Sequence, residues 1–143
     1  MEKNKILFIC TGNSVRSQMA EAFTNLLYKG KVEAFSGGTK PSTVNPYAIL
    51  VMKEIGIDIF DKRSKSVTEF YGKEFDLVIT LCDNARKECP FFPGAKNLIH
   101  KSFEDPASIA GTEEQKLNKF RNLRDQIKSW LVDYFKKYLE NNQ

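Results

Sequence analysis

Cys10 and Arg16 stand six positions apart in the segment Cys10-Thr11-Gly12-Asn13-Ser14-Val15-Arg16-Ser17. The five residues between them can wrap a ring of backbone N–H groups around one tetrahedral oxyanion. This requires a strand that ends at the cysteine and a helix that starts at the arginine, whose N-terminus adds further donors and partial positive charge. The planar fork of Arg16 can hold two oxyanion oxygens. Gly12 permits close backbone approach, and Ser17 is placed to donate a hydrogen bond to the sulfur. The same field acts on Cys10, because helix N-termini and cations favour thiolate over thiol. The loop therefore reads as an oxyanion cradle with a nucleophile aimed into it. For a bare Cys-x5-Arg the competing reading is a buried structural cysteine beside a surface arginine. The order of strand, glycine-containing loop, Arg-Ser and helix weighs against it. Walker-type nucleotide binding is disfavoured, since the Gly-Lys-Ser/Thr ending is absent.

Those conditions return the question to the elements. Ile6-Leu7-Phe8-Ile9 is a short continuous apolar run, as in a strand covered on both faces. After the loop, Met19, Ala22, Phe23, Leu26 and Leu27 share one side at helical spacing, with Gly30 as a stop. Val32 to Phe35 reads as a second strand ended by Ser36-Gly37-Gly38. Asn45-Pro46 is a helix start, with Ile49, Met52 and Ile55 on one face and Gly56 at the end. Ile57 to Ile59 reads as a turn or brief extended piece, and Ser66 to Tyr71 as a short helix. Leu77 to Leu81 is the best central strand and leads to Cys82; Lys96 to Ile99 is a weaker one. Phe120, Leu123, Ile127, Trp130 or Leu131, Tyr134 and Tyr138 mark a long amphipathic helix whose stripe is core packing. Strands alternating with helices imply an α/β domain with a parallel sheet. In such sheets ligands gather beyond the carboxyl ends of the strands, which points to Cys10–Ser17 and to Cys82.

Composition narrows the function class. The chain has 143 residues, 41% hydrophobic and 28% charged, with 22 Lys plus Arg against 18 Asp plus Glu, a formal charge of +4. This fits one domain with a single core over 1–143. No apolar run approaches the roughly 20 residues of a membrane span. The charged start Met1-Glu2-Lys3-Asn4-Lys5 and the short Ile6–Cys10 stretch do not suit a signal peptide, so the expected compartment is cytoplasmic. Lys62-Arg63 and Lys136-Lys137 are offset by nearby acids, and no run of five or six like charges suggests a nucleic-acid partner. His100 is the one histidine and reads as a surface or packing residue. Three cysteines and one distant histidine, without a Cys-x2-Cys pair, make a poor zinc site, so no metal is expected. Cys82 and Cys89 are seven positions apart across a highly polar segment that is expected to be exposed and mobile.

The run Cys10 to Glu21 resembles the phosphate-binding loop of the low-molecular-weight protein tyrosine phosphatase superfamily. Within it the chain looks most like the thioredoxin-coupled arsenate reductases. The resemblance continues through Asn45-Pro46, Met52-Lys53-Glu54, Asp58-Ile59, Asp76 to Leu81, Cys82, Cys89-Pro90 and Asp105-Pro106. It implies a three-layer sandwich around a central four-stranded parallel sheet flanked by helices. It also implies roles. Cys10 is the nucleophile, with Arg16 and Ser17 beside it and Thr11, Gly12, Asn13, Ser14 and Val15 as the oxyanion-binding loop. Asp105, in a matching Asp-Pro loop, is the general acid, with Glu104 as the alternative. Such an acid must be protonated when it acts, which burial or a nearby anion promotes. Cys82 and Cys89 match the resolving pair, giving a Cys10–Cys82 and then a Cys82–Cys89 disulfide, the last reduced by thioredoxin. No bound cofactor is needed, because one disulfide supplies the two electrons.

The phosphatase branch has no use for Cys82 and Cys89 and usually carries aromatic residues after its Asp-Pro, where this chain has Ala107-Ser108. Both features favour the reductase, leaving a phosphatase with a Cys10 phosphocysteine as the alternative. A non-enzymatic anion-binding or thiol-sensing module is the third reading. The family's second loop cysteine is replaced here by Val15, which removes an off-pathway oxidation partner of Cys10. Some relatives bind potassium through residues matching Asn13, Glu21, Ser36 and an Asp; here the last position is Lys65. A lysine puts positive charge where the cation would sit, which argues against a potassium site. Either its ammonium replaces the cation or Lys65 is a solvated surface residue. Glu21 and Asn13 have plain readings too, as a helix acid favoured by the dipole and a residue tolerant of a left-handed turn. The expected partners are arsenate or phosphate and thioredoxin, and the expected state is a monomer.

Overall fold

The structure is a computed structural model that describes residues 3–89, 91–108 and 110–141. Met1, Glu2 and Pro90, which entered the sequence reading, lie outside them. Four strands, β1 (Asn4–Cys10), β2 (Val32–Gly38), β3 (Phe75–Thr80) and β4 (Ala95–His100), alternate with helices α1 (Arg16–Leu27), α2 (Pro46–Lys53), α3 (Asp83–Glu88) and α4 (Glu113–Asn141). The sheet has the order β2-β1-β3-β4 and every pairing is parallel.

Ile6 to Cys10 are all buried in succession, as are Leu77 to Thr80, because both faces of the central strands are covered. On one face Ser36 meets Glu21 of α1, and α4 packs on both α1 and α2. On the other, Phe35 joins the rings of Phe70 and Phe75, which in turn meets Phe92. The long helix α4 buries Phe120, Leu123, Ile127, Leu131 and Phe135, each apolar side chain contributing about 2 kcal/mol. The Trp130, Tyr134 and Tyr138 rings stack along its margin. Arg124, also buried, donates to the Val51 carbonyl and to Glu54, tying α4 to α2.

Several boundaries depart from the pattern in the sequence. Leu26 and Leu27 are 60% and 40% exposed, since the last turn of α1 carries them off the helix-covered face. Ile55 is exposed because α2 stops at Lys53. The 66–71 helix is a 3-10 turn over Val67–Phe70, capped by the Ser66 side chain. Most consequentially, β2 does not end at Phe35. It runs on through Ser36-Gly37-Gly38, and Gly38 pairs with Cys10.

From β1 the chain crosses to β2 on one side, and β3 returns on the other side of β1. The strand order therefore reverses between β1 and β3, and a crevice opens there beyond the carboxyl ends. Cys10 and Cys82 lie at those two ends.

Candidate active site

The Cys10–Val15 loop is shaped by what its carbonyls do. The Cys10 carbonyl accepts from Thr39 N–H, that of Thr11 from Lys40 N–H, that of Gly12 from Ser42 N–H and the Ser64 hydroxyl, and that of Ser14 from Asn45 N–H. The Asn13 carbonyl accepts from Gln18 Nε2 and that of Val15 from Met19 N–H. With every carbonyl turned outward, the N–H groups of Thr11 to Val15 have no protein acceptor among the described residues, and they remain for an oxyanion. Helix α1 continues this set, because its N-cap, Val15, supplies no side-chain cap. Asn13 takes the left-handed turn the sequence allows, at φ +48. Gly38 passes beneath the loop. A Cβ on it would lie 2.5 Å from the Thr11 carbonyl oxygen and 2.9 Å from the Asn13 nitrogen.

The hydrogen bonds around Cys10 have a fixed polarity. The Lys65 backbone N–H can only donate, and it meets Asn13 Oδ1 at 3.0 Å. The Asn13 amide is thereby oriented, so Nδ2 faces Ser17 and donates to its Oγ at 2.7 Å. Ser17 Oγ lies 2.9 Å from Cys10 Sγ. Having accepted from Asn13, the hydroxyl has its single hydrogen free for the sulfur.

Cys10 is buried at the floor of a cleft of about 450 Å³ whose wall includes Arg16, Lys40, Asp105 and Ala107. Arg16 Nη1 donates to the Phe103 carbonyl at 3.1 Å, and Nη2 lies 3.8 Å from Asp105 Oδ2. Asp105 reaches this cleft; Glu104, exposed, lines a neighbouring one with Lys119 and Asn122. Of burial and a nearby anion, the two aids expected for the acid, burial is slight: the Asp105 side chain is 45% exposed, and its Oδ1 accepts from Ala107 N–H.

The segment from Cys82 to Cys89 is more ordered than its polarity suggests. It forms α3, with Cys82 as N-cap, its sulfur accepting from Ala85 N–H at 3.4 Å, and Cys89 as C-cap. Both cysteines are buried, as is Ala85, while the charged residues face outward. Cys82 Sγ lies 3.2 Å from Thr11 Oγ1, one residue from Cys10. Asn84 also donates to that hydroxyl. His100 is a packing residue, bonded to Thr80 Oγ1 through Nδ1 and to Asp83 Oδ1 of α3 through Nε2. Burial pushes the Cys89 thiol up. All three cysteines are free thiols.

Glu21 and Ser36 meet behind the loop, the serine hydroxyl donating to Glu21 Oε1 at 2.9 Å. Lys65 is no solvated surface residue, its side chain being only 15% exposed and its ammonium inserted between them and Asn13. Sequence reasoning missed Gly38, Gln18, Ser64 and the 39–45 strap. Only the Gly37-Gly38 pair carried a signal, a strand glycine that marks close approach of another backbone. Among the described residues no cluster of His, Cys, Asp or Glu could hold a metal ion, and no helix is long and apolar enough to cross a membrane.

Residues 5–143 match the sequence profile of the low molecular weight phosphotyrosine protein phosphatases. The arsenate reductase of Halalkalibacterium halodurans is 43% identical over 127 residues, 89% of this chain and 91% of that one. Among solved structures, an arsenate reductase in the phosphate binding state superposes with a TM-score of 0.80 at 35% identity, over 94% of this chain and 98% of that one. A low molecular weight protein tyrosine phosphatase from T. tengcongensis gives 0.74 at 25% identity, over 94% and 99%.

Proposed function

The chain belongs to the low molecular weight phosphotyrosine protein phosphatase family, and from that premise we propose that it reduces arsenate to arsenite through a relay of Cys10, Cys82 and Cys89. Arsenate sits in the loop, held by the N–H groups of Thr11 to Val15 and by the fork of Arg16. The Cys10 thiolate attacks arsenic, an S–As bond forms and an As–O bond breaks. Asp105, acting in its protonated form, gives its proton to the departing oxygen, which leaves as water. The Cys82 thiolate then attacks the Cys10 sulfur. The S–As electron pair passes to arsenic, reducing it by two electrons, and arsenite leaves behind a Cys10–Cys82 disulfide. Cys89 attacks Cys82, which frees Cys10 and leaves Cys82–Cys89 for an external dithiol, with thioredoxin as the expected reductant.

The single observation that carries this reading is the place of Cys82, buried at the carboxyl edge beside β1 with its sulfur 3.2 Å from a loop hydroxyl. A hydrolase finished by water has no use for a thiol there. The last exchange demands a change of shape. Seven residues of helix span about 10 Å, whereas disulfide-bonded Cα atoms lie roughly 4.4–6.8 Å apart. Helix α3 therefore unwinds, and unwinding also gives Cys89 the solvent it needs to ionise. Ser17 assists the nucleophile by donating to the Cys10 sulfur, and Glu21, Ser36 and Lys65 support the loop. The chain is read as one monomeric domain working in the cytoplasm, without a bound cofactor.

The second reading is a protein tyrosine phosphatase with a Cys10 phosphocysteine, supported by the loop and Asp105, which serve either reaction, and by the likeness to the T. tengcongensis enzyme. Cys82→Ser separates the two. It is expected to abolish arsenate turnover in a thioredoxin-coupled NADPH assay while sparing arylphosphate hydrolysis. Equal loss of both activities, or full arsenate turnover, defeats the relay.

A further inference from the structure

Behind the loop, on the side away from the cleft, one ammonium is surrounded by oxygens. Lys65 Nζ lies 3.2 Å from the Arg63 carbonyl, 3.3 Å from Ser36 Oγ and 3.4 Å from Asn13 Oδ1. Glu21 Oε1 stands 3.9 Å away. These include the three positions, Asn13, Glu21 and Ser36, at which the family resemblance implies a potassium ion. The residues present do not fit one. The ammonium already stands among the oxygens that would coordinate it, and the second oxygen of Glu21 is 3.6 Å from another cation, Lys62 Nζ. A further positive charge would be repelled at close range in a partly desolvated site. The enclosure is real in energetic terms: burial pulls the Lys65 ammonium below the ordinary lysine value, against the opposing pull of Glu21.

We propose that Lys65 is a built-in cation that positions the anion loop, standing where a metal ion would otherwise be needed and acting on Cys10 through Asn13 and Ser17. The path is continuous. Lys65 grips Asn13 Oδ1 with both its backbone N–H and its ammonium. That grip holds the one non-glycine residue with positive φ among the described residues. It also polarises the amide, so Nδ2 is a stronger donor to Ser17 Oγ, and the hydroxyl in turn is a stronger donor to the Cys10 sulfur. Lys65 touches no substrate; it is a positioning residue. The inference rests on Cys10 being the loop's nucleophile, as proposed above, but on neither choice of substrate.

The test reads Cys10 directly, without arsenate. The pH profile of Cys10 alkylation is followed by peptide mapping in the full chain, in potassium chloride and in N-methylglucamine chloride of equal ionic strength. The wild-type profile is expected to be the same in both. In Lys65→Ala the midpoint moves upward by about one pH unit, a tenfold slower reaction below it. Potassium or ammonium ions then restore most of the loss by entering among the freed oxygens. Lys65→Met, which fills the space without charge, moves the midpoint equally and is not rescued. A wild-type profile that shifts with potassium overturns the proposal, as does an unmoved midpoint in either variant or an Ala defect that no cation restores. If the Ala variant does not fold, the Met variant decides by its midpoint alone. Because arsenate is absent, failure here leaves the reductase reading standing, and loss of arsenate turnover in Cys82→Ser says nothing about Lys65.

Discussion

If the Cys82–Cys89 bond forms only when α3 opens, weakening that helix without touching a sulfur must speed the exchange. Lys87 is an exposed residue of the last turn of this six-residue helix. Lys87→Gly and Lys87→Ala both delete the charge that favours the helix C-terminus, so their comparison cancels it. What remains is intrinsic propensity, about 1 kcal/mol between glycine and alanine in a helix interior. The helix buries little besides Ala85 and its two capping cysteines, so few tertiary contacts dilute the effect. A difference of about 1 kcal/mol multiplies the open population roughly fivefold. The assay mixes reduced protein with arsenate in the absence of external thiol, quenches with an alkylating agent, and follows decay of Cys10–Cys82 into Cys82–Cys89 by peptide mapping. The Gly variant is expected to exchange about fivefold faster than the Ala variant. Equal rates, in variants whose α3 amides exchange with solvent at different rates, would refute the requirement for unwinding. So would a slower Gly variant.

Other expectations follow from the same geometry. Gly38→Ala drives a Cβ to within 2.5 Å of the Thr11 carbonyl oxygen. The loop must shift, and arylphosphate hydrolysis should fall by about a hundredfold while the thermal transition stays cooperative; unchanged kinetics would mean that β2 yields instead of the loop. Tyr138 is pushed up to about 12, by burial first and then by Asp76. The folded protein therefore holds that proton while the unfolded chain releases it near the ordinary value of about 10. Stability is full below about pH 10 and should decline as pH rises from there toward about 12. Tyr138→Phe should lessen the decline in denaturant titrations, and an identical pH slope in both proteins would discount the residue.

The geometry of the loop was legible because it is contiguous. Cysteine, glycine, arginine and serine at that spacing dictate an oxyanion cradle wherever a strand precedes them and a helix follows, and both neighbours announce themselves by local pattern. The same holds for the central strands, whose unbroken apolar runs require cover on both faces, and for α4, whose stripe repeats over many turns. Boundaries were less legible. Leu26 and Leu27 match the helical period of α1, yet periodicity carries no information on how far the partner surface extends. Ser36-Gly37-Gly38 reads as a strand end by composition, yet it continues the strand by pairing with Phe8 to Cys10, and the loop above leaves no room for a Cβ at Gly38.

What only the tertiary structure decided are the pairings across the chain. Cys82 meets Thr11 because β1 and β3 are parallel neighbours in one register, a long-range choice that no local signal records. The 39–45 strap binds the loop carbonyls through its own backbone, and backbone hydrogen bonds are blind to side-chain identity. Order in the 82–89 segment was invisible for a related reason. Its polar residues describe only the outward face of α3, while two sulfurs and one alanine methyl form the inward one. Lys65 is the sharpest case. An isolated lysine belongs in water, and its burial is tolerated because oxygens of Asn13, Glu21, Ser36 and Arg63 converge on it, an arrangement that exists only once the chain has folded.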